Sequence, residues 1–210
     1  MSYSVKEIYL TIQGEGFHTG KHAVFCRFSG CNLWTGLEKD RKKAICNFCD
    51  TDFVGTDGIN GSKYPNAEQL ANEIDKVWDK DINEKFVVFT GGEPLLQLDK
   101  PLVDLLHKKK FKVAIETNGT ILPPENIDWI CVSPKQGADF NLKYGNELKL
   151  VYPQAGAEPE NYAGLPFTHF YLQPMYGPEA YRHFEAAREY CRRHPRWQLS
   201  LQRQKVVGIA

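Results

Sequence analysis

Apolar residues recur along the chain at two spacings. Over residues 65–78 they fall on one helical face, at Leu70, Ile74, Val77 and Trp78. Asn66 stands where an N-cap belongs, with Gln69 three positions on, as in a capping box. Residues 86–90 (FVVFT) are short and continuously apolar, which predicts a strand covered on both faces. The same reading predicts strands over 8–12, 22–28, 111–116, 129–133, 148–152, 169–172 and 197–201. It predicts further helices over 95–109 and 179–193, the second stopped by Pro195. Strands alternating with helices imply parallel βα units. A complete eight-fold barrel takes about 250 residues. A chain of 210 residues is therefore expected to form a partial, open βα barrel in one domain, 1–210, with a cysteine-bearing extension near its start. Two polar stretches, 35–43 and 55–65, read as surface insertions within a 35–65 loop region.

Composition narrows the function. Lys plus Arg and Asp plus Glu are both 26, so the formal charge is zero. No global field exists to hold nucleic acid or an anionic membrane, and neither is expected as a partner. No apolar run reaches the ~18–20 residues that span a bilayer. The opening residues lack the basic and apolar regions of a signal peptide, so a cytoplasmic protein is expected. Its 6 cysteines are then free, metal-bound or catalytic rather than disulfide-linked.

Polar residues gather at strand ends. Thr90, Glu116, Ser133 and Gln173 stand at or just past the C-terminal ends of predicted strands. Parallel βα folds bind ligands at that edge. Arg27 interrupts an apolar strand. Alternation puts it on one face with Ala23 and Phe25, and puts Val24, Cys26 and Phe28 on the other. A buried guanidinium needs a partner: Glu116, Glu15 or the carboxylate of a substrate. The turn Thr90-Gly91-Gly92-Glu93-Pro94 lets a ligand approach the backbone closely.

Cys31, Cys46 and Cys49 form a C-x14-C-x2-C pattern. Zinc would need a fourth ligand, such as Cys26, His18 or His22. A cubane 4Fe–4S cluster would leave one iron open on three thiolates. The spacing alone leaves both readings standing. Cys26, Cys131 and Cys191 read as small buried hydrophobes.

In order along the chain stand TIQGEG (11–16), the three cysteines with CDT (49–51), TGGEP (90–94), ETNGT (116–120) and SPK (133–135). This series resembles the radical S-adenosylmethionine enzymes, although their usual spacing is C-x3-C-x2-C. With its longer insertion it resembles the subgroup that converts 6-carboxy-5,6,7,8-tetrahydropterin to 7-carboxy-7-deazaguanine and ammonia, a step toward queuosine. The resemblance implies a shortened barrel of about six strands and a homodimer. It implies a 4Fe–4S cluster on Cys31, Cys46 and Cys49, with S-adenosylmethionine on the open iron. Phe48, Asp50, Gly92, Glu116, Ser133, Lys135 and Gln173 would bind that cofactor, and Thr51 would hold Mg2+. Ile12, Gln13, Gly14, Glu15, Arg27 and Thr90 would meet the pterin, its carboxylate on the Arg27 fork and its amino-pyrimidinone edge on Gln13 and Glu15. An electron donor such as flavodoxin is implied as a partner. The apolar tail 206–210 is expected to pack back, with the terminal carboxylate of Ala210 near the substrate. Two other readings compete: a glycyl-radical-enzyme activating enzyme, and a zinc-binding module without catalysis.

Overall fold

The computed structural model describes residues 1–208, except for the Val206 side chain. The described residues form one open sheet in the order β3-β1-β2-β4-β5-β6-β7-β8-β9. The strands are β1 (Tyr3–Ile12), β2 (His22–Phe28), β3 (Ser62–Tyr64), β4 (Phe86–Gly91), β5 (Lys112–Thr117), β6 (Trp129–Val132), β7 (Gly145–Tyr152), β8 (Phe167–Pro174) and β9 (Trp197–Leu199). From β2 to β9 every neighbouring pair is parallel. That is the expected incomplete βα barrel. An antiparallel flank precedes it: β1 pairs with β2 and carries β3 on its outer edge.

Alternation sorts the two faces. Val24, Cys26 and Phe28 of β2, Val87 and Phe89 of β4, and Val113 and Ile115 of β5 pack under two helices in one apolar core. These helices are α1 (Ala67–Val77) and α2 (Lys100–Lys108), which contribute Leu70, Ile74, Leu102, Val103 and Leu106 to that core. α3 (Ala180–Arg193) covers β8 and β9, and its Ala187 joins a second core with Leu148, Leu150, Phe170 and Leu172. The opposite, concave face carries Ala23, Phe86, Val88 and Ala114 low down, then polar residues toward the C-terminal strand ends.

Local signals act as the sequence suggests, with one exception. Asn66 caps α1 by accepting from the Gln69 amide at 2.9 Å. The expected helix over 95–109 is split. Pro94–Leu96 makes a single 3-10 turn, and α2 starts afresh behind Asp99, which accepts from the Leu102 amide at 3.2 Å. Pro101 explains the restart. In a helix interior it would lose a backbone bond, whereas in a first turn its missing N–H costs nothing. The 35–43 insertion contains a 3-10 turn, Glu38–Lys43, with no buried residue. A short helix α4 (Arg203–Val207) ends the described chain.

Candidate active site

The concave face opens into a cavity of about 490 Å³ at the C-terminal ends of the parallel strands. Ile12, Gln13, Gly14, Glu15, Arg27, Cys31, Cys46, Phe48, Cys49, Asp50, Thr51, Thr90, Gly92, Glu116, Ser133, Lys135 and Gln173 all line it. Ala210, the remaining expected site residue, lies outside the described residues. The loop after β2 brings in Cys31, the 35–65 insertion brings in Cys46 and Cys49, and the strand ends supply the rest.

One end of the cavity is sulfur-rich. The thiols of Cys46 and Cys49 are hydrogen-bonded to each other. That bond brings Cys49 down to about 6, and together with burial it pushes Cys46 far up. Burial also raises Cys31, whose sulfur accepts from the Leu33 amide at 3.4 Å. Buried Lys135 faces Cys46 and Cys49 and donates to the Ser133 carbonyl at 2.6 Å and hydroxyl at 2.7 Å. A cation beside thiols favours thiolates, the form that binds metal. Among the described residues no three His, Cys, Asp or Glu side chains close around a single-ion position. Structural zinc takes four protein ligands, and three thiols leave one position to fill. The fourth ligands considered for zinc do not join them. Cys26 is in the apolar core, His18 packs among Phe17, Phe86 and Trp129, and His22 opens β2 at the far end of the strand from Cys31.

The glycine turn runs directly behind the first thiol. A Cβ on Gly92 would lie 2.1 Å from the Gly30 carbonyl oxygen and 2.6 Å from Cys31 Cβ, so only glycine passes. Glu93, fully buried, locks the turn. It accepts from the Thr117 hydroxyl at 2.7 Å, the Asn118 amide at 2.8 Å and the Leu95 amide at 3.0 Å. Asn118 Nδ2 in turn donates to Asn32 Oδ1 at 2.9 Å, beside Cys31.

The other end is charged. Arg27 does face the cavity, but neither Glu116 nor Glu15 is its partner. Its Nε donates to Glu7 Oε1 at 2.8 Å, and Nη2 donates to the Tyr9 hydroxyl at 3.2 Å. The antiparallel register of β1 and β2 sets Glu7 directly opposite Arg27. Glu15 and Glu116 instead flank the buried ammonium of Lys149, at 2.6 and 3.5 Å. Burial pushes the Glu15 carboxyl up, but Lys149 and two glutamine amides hold it below its ordinary value on balance. Gln13 Nε2 donates to Glu116 Oε1 at 3.0 Å, and its Oε1 accepts from the Glu15 amide at 3.1 Å.

Residues after β9 cross this mouth. Gln202 and Gln204 donate to Glu15 Oε1 at 3.1 and 2.8 Å. Lys205 pairs with Asp50 and lies over the Tyr176 ring, 3.6 Å from its centroid. These contacts end at residue 205, ahead of the 206–210 tail expected to pack back. A Cβ on Gly14 would sit 2.0 Å from Gln204 Oε1, so that glycine leaves room for the returning segment. Glu7, Tyr9, Glu93, Asn118, Lys149, Gln204 and Lys205 were not singled out as site residues from sequence. Lys149 had a signal: alternation places Glu147 and Lys149 inward on a strand whose outward residues, Leu148 and Leu150, are apolar.

Three thiols at the mouth of a partial parallel barrel, over a glycine turn and a charged floor, define a radical S-adenosylmethionine enzyme. Residues 42–194 match the family model described as Radical SAM superfamily. Over 209 residues covering the whole of both chains, the sequence is 57% identical to the 7-carboxy-7-deazaguanine synthase of Bradyrhizobium diazoefficiens. It is 58% identical, at the same coverage, to that of Bordetella pertussis. The crystal structure of QueE from Escherichia coli superposes with a TM-score of 0.71 at 29% identity, covering 96% of this chain and 94% of that one. The chain belongs to the 7-carboxy-7-deazaguanine synthase family. Membership brings a 4Fe–4S cluster and S-adenosylmethionine as cofactors, and a small-molecule substrate. Full-length identity at this level sets aside the activating-enzyme and zinc-module readings. Among the described residues no helix is long and apolar enough to cross a membrane.

Proposed function

We propose that the enzyme converts 6-carboxy-5,6,7,8-tetrahydropterin to 7-carboxy-7-deazaguanine and ammonia, by removal of hydrogen from C6 and contraction of the ring. The observation that carries this reading is the polarity of the cavity, with thiols at one end and an arginine, a lysine and paired carboxylates at the other. Cys31, Cys46 and Cys49 would hold the cluster. Phe48, Asp50, Gly92, Glu116, Ser133, Lys135 and Gln173 would hold S-adenosylmethionine. When bound, this pair supplies a 5′-deoxyadenosyl radical able to take the C6 hydrogen.

The chain's own residues do the positioning. Arg27 spends Nε on Glu7 and keeps guanidinium donors for a carboxylate, which it can meet in a forked pair. Glu7 and Tyr9 fix the plane of that fork, so little side-chain freedom is lost on binding. Gln13, Glu15 and Thr90, beside Ile12 and Gly14, present donors and acceptors to the amino-pyrimidinone edge. Lys205 on Asp50 and the two glutamines on Glu15 draw the chain end across the mouth, where it excludes water. Ala210 would bring the terminal carboxylate to the same mouth. Thr51, next to Cys49, offers one hydroxyl. Magnesium favours oxygen ligands and keeps waters, so the substrate carboxylate would complete its shell there. A homodimer, a low-potential electron donor such as flavodoxin, and a cytoplasmic location complete the proposal.

Substrate deuterated at C6 tests it. In anaerobic turnover the label is expected in the adenosyl group of recovered S-adenosylmethionine. Label found only in solvent would refute direct hydrogen removal from C6.

A further inference from the structure

Lys149 is a buried cation that nothing in the proposed mechanism uses directly. It is 4% exposed and sits on the concave face of β7. Its Nζ lies 2.6 Å from Glu15 Oε2 and 3.5 Å from Glu116 Oε1. The other groups facing it are the Glu147 carboxylate, the Cys131 thiol and Lys135, with Tyr171 opposite in register on β8. Glu147 is committed elsewhere. It accepts from the Phe17 amide and from Trp129 Nε1, both at 3.3 Å. A Cβ on Gly16 would fall 2.0 Å from its Oε1. The lower part of β7 thus grips the loop 13–17, while Lys149 grips the carboxylate at its centre.

The chemistry of the two held carboxylates points to a ligand. Glu116 Oε1 accepts from Gln13 and pairs with the Lys149 ammonium at 3.5 Å. Its Oε2 has no hydrogen-bond partner among the described residues, and Glu116 lines the cavity. Glu15 uses three of its roughly four lone-pair sites, for Lys149, Gln202 and Gln204. An ionised carboxylate only accepts, so two of them side by side recognise a row of donors. Two half-buried carboxylates on one ammonium would repel each other without it.

We propose that Lys149 is the positioning residue of the substrate pocket: it bridges Glu15 and Glu116 and keeps the pair aimed, and the pair reads the amino and ring N–H donors of an aminopyrimidinone. This rests on the pterin reading of the cavity. Without the ammonium, burial favours a proton on Glu15, which turns it into a donor facing a donor. This bridge assigns Glu116 to the pterin rather than to S-adenosylmethionine. Lys149 pairs with none of the other residues that would hold that cofactor, so binding of S-adenosylmethionine is expected to survive its loss.

The test uses the reconstituted holoenzyme with S-adenosylmethionine and oxidised 6-carboxypterin, which keeps the donor edge but cannot react. Binding is followed by pterin fluorescence from pH 6 to 8, and folding by thermal melting. Lys149→Met is expected to weaken pterin binding about 10- to 100-fold, as befits lost charge-assisted hydrogen bonds. The loss is expected to be larger at pH 6 than at pH 8, and Lys149→Arg is expected to restore part of it. A folded Lys149→Met protein that binds the pterin as tightly as wild type across that range overturns the proposal. Should that variant not fold, 13C titration of labelled glutamates in the wild-type protein decides. Glu15 is expected to stay ionised below the usual carboxylate range, and ordinary titration overturns the bridge. Wild-type protein that fails to bind 6-carboxypterin while binding S-adenosylmethionine overturns the pterin reading itself, and the proposal with it.

Discussion

Replacing Glu93 separates the scaffold from the chemistry it supports. Its carboxylate is fully buried and takes three hydrogen bonds, from the Thr117 hydroxyl, the Asn118 amide and the Leu95 amide, at 2.7 to 3.0 Å. Each bond to a charged group is worth about 1.5–3 kcal/mol. The three share one acceptor, so they do not add. Water entering the vacated space also recovers part of the loss. Glu93→Ala is therefore expected to cost about 3–5 kcal/mol, against a total stability of about 5–15 kcal/mol. For a chain of this length the melting temperature should fall by roughly 6–20 °C. Glu93→Gln keeps the shape but presents an NH2 to a backbone N–H, and should cost about 2 kcal/mol. Urea unfolding of the cluster-free protein under anaerobic conditions measures both, and an unchanged slope shows that the denatured state is not the cause. Iron retention should fall in the same order, because Asn118 steadies Asn32 next to Cys31. Glu93→Ala within 1 kcal/mol of wild type would refute the assigned network. Glu93→Gln equal to wild type would show that the carboxyl is protonated in the fold, a state that burial favours.

Gly92→Ala places a methyl against the Gly30 carbonyl and Cys31 Cβ. It should lower iron content after reconstitution and cost about 1–3 kcal/mol of stability, and normal iron loading would contradict the crossing. Burial holds the His18 imidazole neutral, down to about 4 from 6.5. The native state then binds fewer protons than the unfolded chain between those values, so stability present above pH 6.5 is lost as the pH falls toward 4. His18→Phe should flatten that acid limb in urea melts from pH 7 to 4.5, and parallel limbs for the two proteins would count against it. Deleting residues 206–210 should raise the KM for the pterin, and unchanged kinetics would remove the tail from the site.

The sequence carried the parallel run plainly, because strands buried on both faces are continuous in Val, Ile and Phe and each ends in a polar residue. It did not carry β3, three residues of mixed polarity that become a strand only by pairing with β1. The break before α2 was readable in principle, since Asp99 and Pro101 are a start signal placed inside an apolar repeat. The cysteine spacing identified the sulfur-rich wall, though not the order in which the 35–65 insertion folds over it. Arg27 shows where local reading stops. Its inward direction follows from alternation, but its partner follows from an antiparallel register across a hairpin. Lys149 is the same case at longer range, because it stands 134 positions from Glu15 along the chain and meets it only through the curvature of the sheet.

Anaerobic turnover tests the central claim most directly. Reconstituted enzyme with S-adenosylmethionine, Mg2+, a strong reductant and 6-carboxy-5,6,7,8-tetrahydropterin should yield 7-carboxy-7-deazaguanine by mass, and Cys46→Ala should abolish it. Accumulation of 5′-deoxyadenosine without that product would contradict the pterin as substrate while leaving the cofactor site intact.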